Sequence, residues 1–274
     1  MASTIAAVDV KKLRDATGAG MMDAKKALTE AQGDFDQAVE ILRVTGQAKA
    51  AKRGAERSAS NGLVAAEGGA MIQLGAETDF VAKNEQFQNL ASEIASLAST
   101  QKLAGVKAVL PAQLPSGKTV AEAIEALAVV IGEKLELTDA AYFEGQTAVY
   151  LHKRASDLPP QVGVLVQYEG SDESAARTVA MQVAAMRPQY VHRDEVPADV
   201  VENERRIAEA TAKEEGKPEQ ALPRIIEGRV NGFFKDVCLV DQPSVTDSKT
   251  TVAKQLDEAG ITVLRFARFE AAGA

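Results

Sequence analysis

The apolar run MIQLGA at residues 71–76, followed beyond TDFVAKN at 78–84 by an apolar stripe at helical spacing, most constrains what this chain can fold into. Phe87, Leu90, Ala91, Ile94, Leu97 and Ala98 recur with the period of an amphipathic helix, while the run before them is short enough for a buried strand. A strand must therefore give way to a helix within TDFVAKN. Such a junction pushes Asp79 and Phe80 outward.

The pattern is repeated. Residues 61–66, a turn at Glu67-Gly68-Gly69 and residues 70–76 read as a β-hairpin, with a helix from about 84 to 100 after it. Residues 147–151 and 162–168 repeat the strand pair, and a helix from about 173 to 186 follows, with Val179, Met181, Val183, Ala184 and Met186. In both copies strand meets helix through an acidic loop, residues 77–79 in one and 169–172 in the other, and only the first copy carries an aromatic, Phe80, at its tip. The expected fold class is α+β, with a core of two related subdomains built on antiparallel sheets.

The flanking segments are helical. Three short helices are expected at 6–16, 22–31 and 34–44; Asp34 caps the third and Thr45-Gly46 closes it. A bundle this small is marginal alone and suits a docking module. Gly18-Ala19-Gly20 lacks both the preceding strand and the third glycine of a dinucleotide loop, so it reads as a helix–helix turn that lifts Met21 and Met22 toward solvent. Adaptable partner contacts and core filling are equally good uses for those thioethers. The basic stretch with Lys49, Lys52, Arg53 and Arg57 reads as a helical or flexible linker, ordinarily a solvated face, or else a guide toward an acidic partner. Residues 119–131 form a helix with Val120, Ile124, Leu127 and Ile131 on one face. Gly117-Lys118-Thr119 before it is a fragment of a phosphate loop, but Ala112 stands where the full pattern needs glycine, so no GTP site is indicated. After Pro197, two polar amphipathic helices around Gly216-Lys217-Pro218 form a helical hairpin. A helix at 250–259 and a strand at 261–269 meet at Gly260.

These readings divide the chain into a docking module at 1–46, a linker at 47–60, a first core subdomain at 61–145 and a second at 146–274, with the hairpin inserted at about 198–234. Composition narrows the function. A net charge of −8 argues against direct contact with nucleic acid. The single Cys238 excludes an internal disulfide and fits a reducing compartment. No apolar run reaches the length of a membrane span, and the first twenty residues lack the pattern of a signal peptide, so no membrane association and a cytoplasmic location are expected. With two histidines, His152 and His192, and no nucleophile elbow, HExxH or cysteine cluster, no cofactor, no metal and no catalytic centre are expected.

Phe80 has two readings. A ring beside a carboxylate at a loop tip, in a chain with no Trp and 4% aromatic residues, fits an anchor for a partner protein. On local physics the ordinary reading is that Phe80 staples back onto Phe87 while Asp79 caps the first turn, and this is the favoured one.

ETDFVAKN at 77–84 resembles the signature of the elongation factor Ts family of bacterial translation, and LRDATGAGMMDAKKALTEAQGD at 13–34 is similar to the family's other signature. IEGR at 226–229 and VDQPSV at 240–245 resemble its C-terminal core, so the likeness spans essentially the whole chain. It reverses the preference at Phe80. The resemblance implies a guanine nucleotide exchange factor, without catalytic chemistry of its own, that binds elongation factor Tu during the elongation phase of protein synthesis and disturbs its Mg²⁺ and phosphate sites. It implies that Thr78, Asp79, Phe80 and Val81 form the part that dislocates Mg²⁺, with Phe80 as wedge. Arg14, Met21 and Met22 of a ubiquitin-associated-like module would grip the partner, as would His152, Pro243 and Val245 of the second subdomain. It also identifies the hairpin as a coiled coil, and it leaves room for a homodimer or for a heterotetramer with the partner. Longer members continue into a helical tail on the partner, and its contacts are not carried over here. The rival is an adaptor that binds small folds through residues 1–45 alone.

Overall fold

The computed structural model describes residues 5–271. The fold is α+β, and the chain forms two compact units. One comprises the residues up to Tyr142 together with Lys153–Gln161 and those from Glu270 on; the other comprises Phe143–His152 and Val162–Phe269.

The first unit opens with α1 (Ala7–Thr17), α2 (Met21–Glu30) and α3 (Phe35–Glu56). Val10, Leu13, Ala24, Leu28, Ala38 and Leu42 make the bundle's core. Gly18 ends α1 in the left-handed region at φ 69°, with its N–H on Arg14 O, which gives the expected tight turn. α3 does not close at Thr45-Gly46. The Thr45 hydroxyl bonds back to Ile41 O at 2.7 Å, and a Cβ on Gly46 would stand 2.7 Å from Val129 Cγ1. Gly46 is thus a packing glycine inside a helix, and the Ala-, Lys- and Arg-rich residues after it carry the helix on. The side chains of Lys49, Lys52 and Arg53 lie outside the described residues.

β1 (Asn61–Glu67) and β2 (Ala70–Ala76) form the expected hairpin, in register from Asn61↔Ala76 to Glu67↔Ala70. Then come α4 (Asp79–Ala82), α5 (Glu85–Thr100), α6 (Val106–Val109), α7 (Val120–Ile131) and β3 (Leu135–Tyr142). β3 pairs antiparallel with β2, giving the order β1-β2-β3. Ile72, Leu74, Phe87, Ile94, Val120 and Leu137 are buried together between sheet and helices.

In the second unit β4 (Thr147–His152) and β5 (Val162–Glu169) pair antiparallel, followed by α8 (Glu173–Met186), α9 (Ala198–Glu214), α10 (Leu222–Val237), α11 (Val252–Ala259) and β6 (Thr262–Glu270). The order β4-β5-β6 puts the second hairpin strand in the middle, as in the first sheet. α9 and α10 fold back on each other around buried Ala208, Ala212 and Val230, with Arg229 and Glu215 paired at 2.7 Å. Val164, Val166, Val179, Val183, Leu239 and Leu256 fill this unit's core.

Candidate functional site

The tip after β2 is built by dividing its residues between inward and outward roles. Glu77 faces inward: its carboxylate accepts the Lys134 backbone N–H at 2.6 Å and the Arg57 guanidinium at 2.9 Å, while its carbonyl accepts Asn61 Nδ2 at 2.8 Å. Thr78 is held by Glu133, whose two oxygens receive its N–H at 3.0 Å and its hydroxyl at 2.7 Å. α4 then begins at Asp79, with Val81 and Ala82 buried in the unit's core. Lys83 reaches Asp157 at 2.6 Å, and this hydrogen bond holds the Asp157 carboxyl below, and the Lys83 ammonium above, their ordinary ranges. Asn84 Oδ1 caps α5, accepting Gln86 N–H at 2.9 Å and Phe87 N–H at 3.2 Å.

Phe80 is what remains. It is 79% exposed on a short helix whose flanking residues are all tied down. The cap and staple of the local reading are absent: Asn84 caps α5, and Phe87 is fully buried while Phe80 is not. Because α4 separates strand from helix, the ring is carried clear of the apolar stripe beneath it.

The other expected contact residues lie at three places. Met21 and Met22 begin α2, 47% and 77% exposed, with Arg14 half-exposed on α1 and paired to Asp15 at 2.6 Å. His152 ends β4, exposed, with Nδ1 3.1 Å from the Tyr150 hydroxyl. Pro243 and Val245 are exposed on one loop that buried Gln182 of α8 pins: its Nε2 donates to Pro243 O and Gln242 Oε1, each at 3.1 Å, and its Oε1 accepts Val245 N–H at 2.7 Å. Sequence reasoning missed Gln182, Glu133 and the inward role of Glu77. An amide inside the apolar stripe of α8 was a readable signal for Gln182; nothing in the pattern around Glu133 marked it.

Cys238 is fully buried, and burial pushes its thiol up to about 11, so the reactive thiolate is scarce at neutral pH. Thr119 of the phosphate-loop fragment forms a capping box with Glu122: its hydroxyl accepts Glu122 N–H at 3.2 Å, and the Glu122 carboxylate accepts Thr119 N–H at 2.8 Å. A groove of about 630 Å³ between the bundle and α7 has Leu42, Val129 and Val130 on its walls and Arg43, Lys118 and Glu125 among its polar groups. Among the described residues no three potential ligands cluster as a metal site, and no helix is long and apolar enough to cross a membrane.

The family model described as "Elongation factor TS" matches residues 77–273. The chain is 61% identical over 267 residues to the elongation factor Ts of Nocardia farcinica, covering 96% of this chain and 97% of that one. It is 60% identical over 268 residues to that of a Nocardioides species, covering 98% of each. Against the elongation factor Ts of Cutibacterium acnes it is 59% identical over 267 residues, covering 97% of this chain and 98% of the other.

Proposed function

The chain belongs to the elongation factor Ts family of translation elongation factors, and on that premise we propose that it is a guanine nucleotide exchange factor for elongation factor Tu. The observation that carries the reading is Phe80, 79% exposed on a helix anchored through Thr78, Val81, Ala82 and Lys83. Exposure of a large ring costs hydration free energy that folding would ordinarily recover by burial. Rigid support makes the ring ready to enter a partner's crevice without further ordering.

A GTPase holds GDP through phosphate contacts and a bridging Mg²⁺ ion. An exchange factor must favour the nucleotide-free form, and by reciprocity nucleotide and factor weaken each other's binding. Release faster by five powers of ten requires about 7 kcal/mol of differential binding. Phe80 as a buried aromatic anchor supplies about 2 kcal/mol or more, so several contacts must share the task. Asp79, next to the wedge, perturbs the hydrogen bonds around the Mg²⁺ ligands. Arg14, Met21 and Met22 of the ubiquitin-associated-like bundle grip the GTP-binding domain, His152 acts on the phosphate loop, and Pro243 and Val245 hold a separate partner domain. Factor and partner act in the cytoplasm, and the chain performs no bond chemistry itself.

The test is release of labelled GDP from purified elongation factor Tu. The chain should accelerate it, and Phe80→Ala should lower the catalysed rate by about 30-fold or more, the equivalent of 2 kcal/mol. An unchanged rate would remove the wedge from the mechanism.

A further inference from the structure

The last turn of α7 and the residues just after it face two ways. Val129 and Val130 pack against the bundle, where a Cβ on Gly46 or Gly18 would lie 2.7 Å or 3.1 Å from them. Gly132 then turns the chain at φ 85°, and Glu133 and Lys134 reach back to Thr78 and Glu77. The remaining oxygen of Glu77 takes Arg57, just beyond the end of α3. The bundle that presents Met21 and Met22 and the helix that presents Phe80 are thus both fixed against one short segment.

We propose that Glu133 is a positioning residue for the exchange tip: its carboxylate, closed on both the N–H and the hydroxyl of Thr78, sets the start of α4 and hence the direction of Phe80. The inference rests on the exchange reading above. Both Glu133 oxygens are engaged at hydrogen-bond distance, and bonds to a charged acceptor are stronger than those between neutral groups. Thr78 is the residue before Asp79, and its hydroxyl makes no capping bond within α4, so the start of that helix is set from outside. A wedge must meet its crevice while the bundle is also in contact, and small misplacements at such sites carry large rate penalties.

The experiment uses the full chain with Glu133→Ala, Glu133→Gln, Thr78→Val and the double Glu133→Ala/Thr78→Val. Amide hydrogen exchange on the free protein needs no partner. Glu133→Ala should speed exchange at the Thr78 amide by about tenfold, the worth of one lost bond, with α5 amides unchanged. In GDP release from elongation factor Tu, it should lower the maximal catalysed rate about threefold to tenfold while the half-saturating concentration stays within about twofold, because docking through Met21 and Met22 is intact. Glu133→Gln, which keeps one acceptor oxygen but turns the other into an NH₂ donor and loses the charge, should fall between. The double variant should be no slower than Glu133→Ala, since the bond that Thr78→Val removes is one of the two already lost with Glu133. The proposal is overturned if the Thr78 amide stays protected, if the maximal rate is unchanged, or if α5 loses protection in parallel, which is general destabilisation. If the unaltered chain does not accelerate release at all, the exchange reading fails, while the hydrogen-exchange arm still judges whether Glu133 holds the tip.

Discussion

The two units solve the same structural problem, carrying a central strand into a helix, and finish it differently. After β5 the chain turns at once: Gly170 lies at φ 120°, and Asp172 caps α8 by accepting the Ala175 N–H at 2.9 Å. That loop lies against backbone, since a Cβ on Gly170 would stand 2.7 Å from Gly260 O and 3.1 Å from Ile261 Cα. After β2 the chain inserts the four residues of α4 before Asn84 caps α5. The second junction is closed and has no aromatic, whereas the first is extended and presents Phe80. Related sheets thus carry one junction specialised for holding its own unit together and one that spends residues on display.

The largest expected effects separate these roles directly. Phe80→Ala should lower catalysed GDP release by about 30-fold or more, yet leave the urea midpoint within what a surface substitution gives, about 0.5 kcal/mol. Gly170→Ala should do the reverse. A side chain at that φ, pressed on the Gly260 carbonyl, should destabilise the chain by about 2 kcal/mol, with release per folded molecule unchanged. If the midpoint for Gly170→Ala matched the unaltered chain, the contrast between a closed and a displayed tip would break.

Most of this contrast could be read from sequence, and the exceptions have specific causes. Hairpins, α5, α7, α8 and the helical hairpin announced themselves through period, caps and turn residues, because in each the local preference agrees with the packing. β3 was missed: LELTDAAY contains Asp139, Ala140 and Ala141, so its alternation is weak, and pairing with β2 decides its conformation. Gly46 was misread as a stop because its reason lies in Val129, far along the chain. α4 was folded into a simple junction because four residues are too few to show a period. The exposure of Phe80 was visible in TDFVAKN, but the residues that hold its helix, Glu133 and Asp157, lie beyond the local window and are linked to it only by tertiary contact.

The two helix caps sharpen the comparison at a smaller scale. Asn84 serves two N–H groups and Asp172 serves one. Each change to Ala should destabilise by about 1 kcal/mol, with Asn84→Ala the larger. Only Asn84→Ala loosens a helix start directly after α4, so only it should also lower the maximal rate of GDP release. Equal losses of release in both variants would mean that the two tips are not divided as described.

The smallest effect expected is at Lys83, the cation that ties α4 to Asp157 and has no counterpart among residues 169–172. Both groups are solvent-accessible, so Lys83→Ala should hardly move the midpoint at moderate salt. Its signature lies in pH. The Asp157 carboxyl is lowered by its hydrogen bond to Lys83, so its contribution is present above the ordinary carboxylate value of about 3.9 and lost as pH falls through the depressed folded value. Lys83 is raised, first by the same hydrogen bond, so its contribution is present below about 10.4 and lost as pH rises through the folded value. At low salt the variant and the unaltered chain should therefore differ slightly between those limits and converge at both ends, and added salt should erase the difference. A gap of constant size across pH and salt would place the role of Lys83 in the packing of its methylene stem against α4 rather than in its charge.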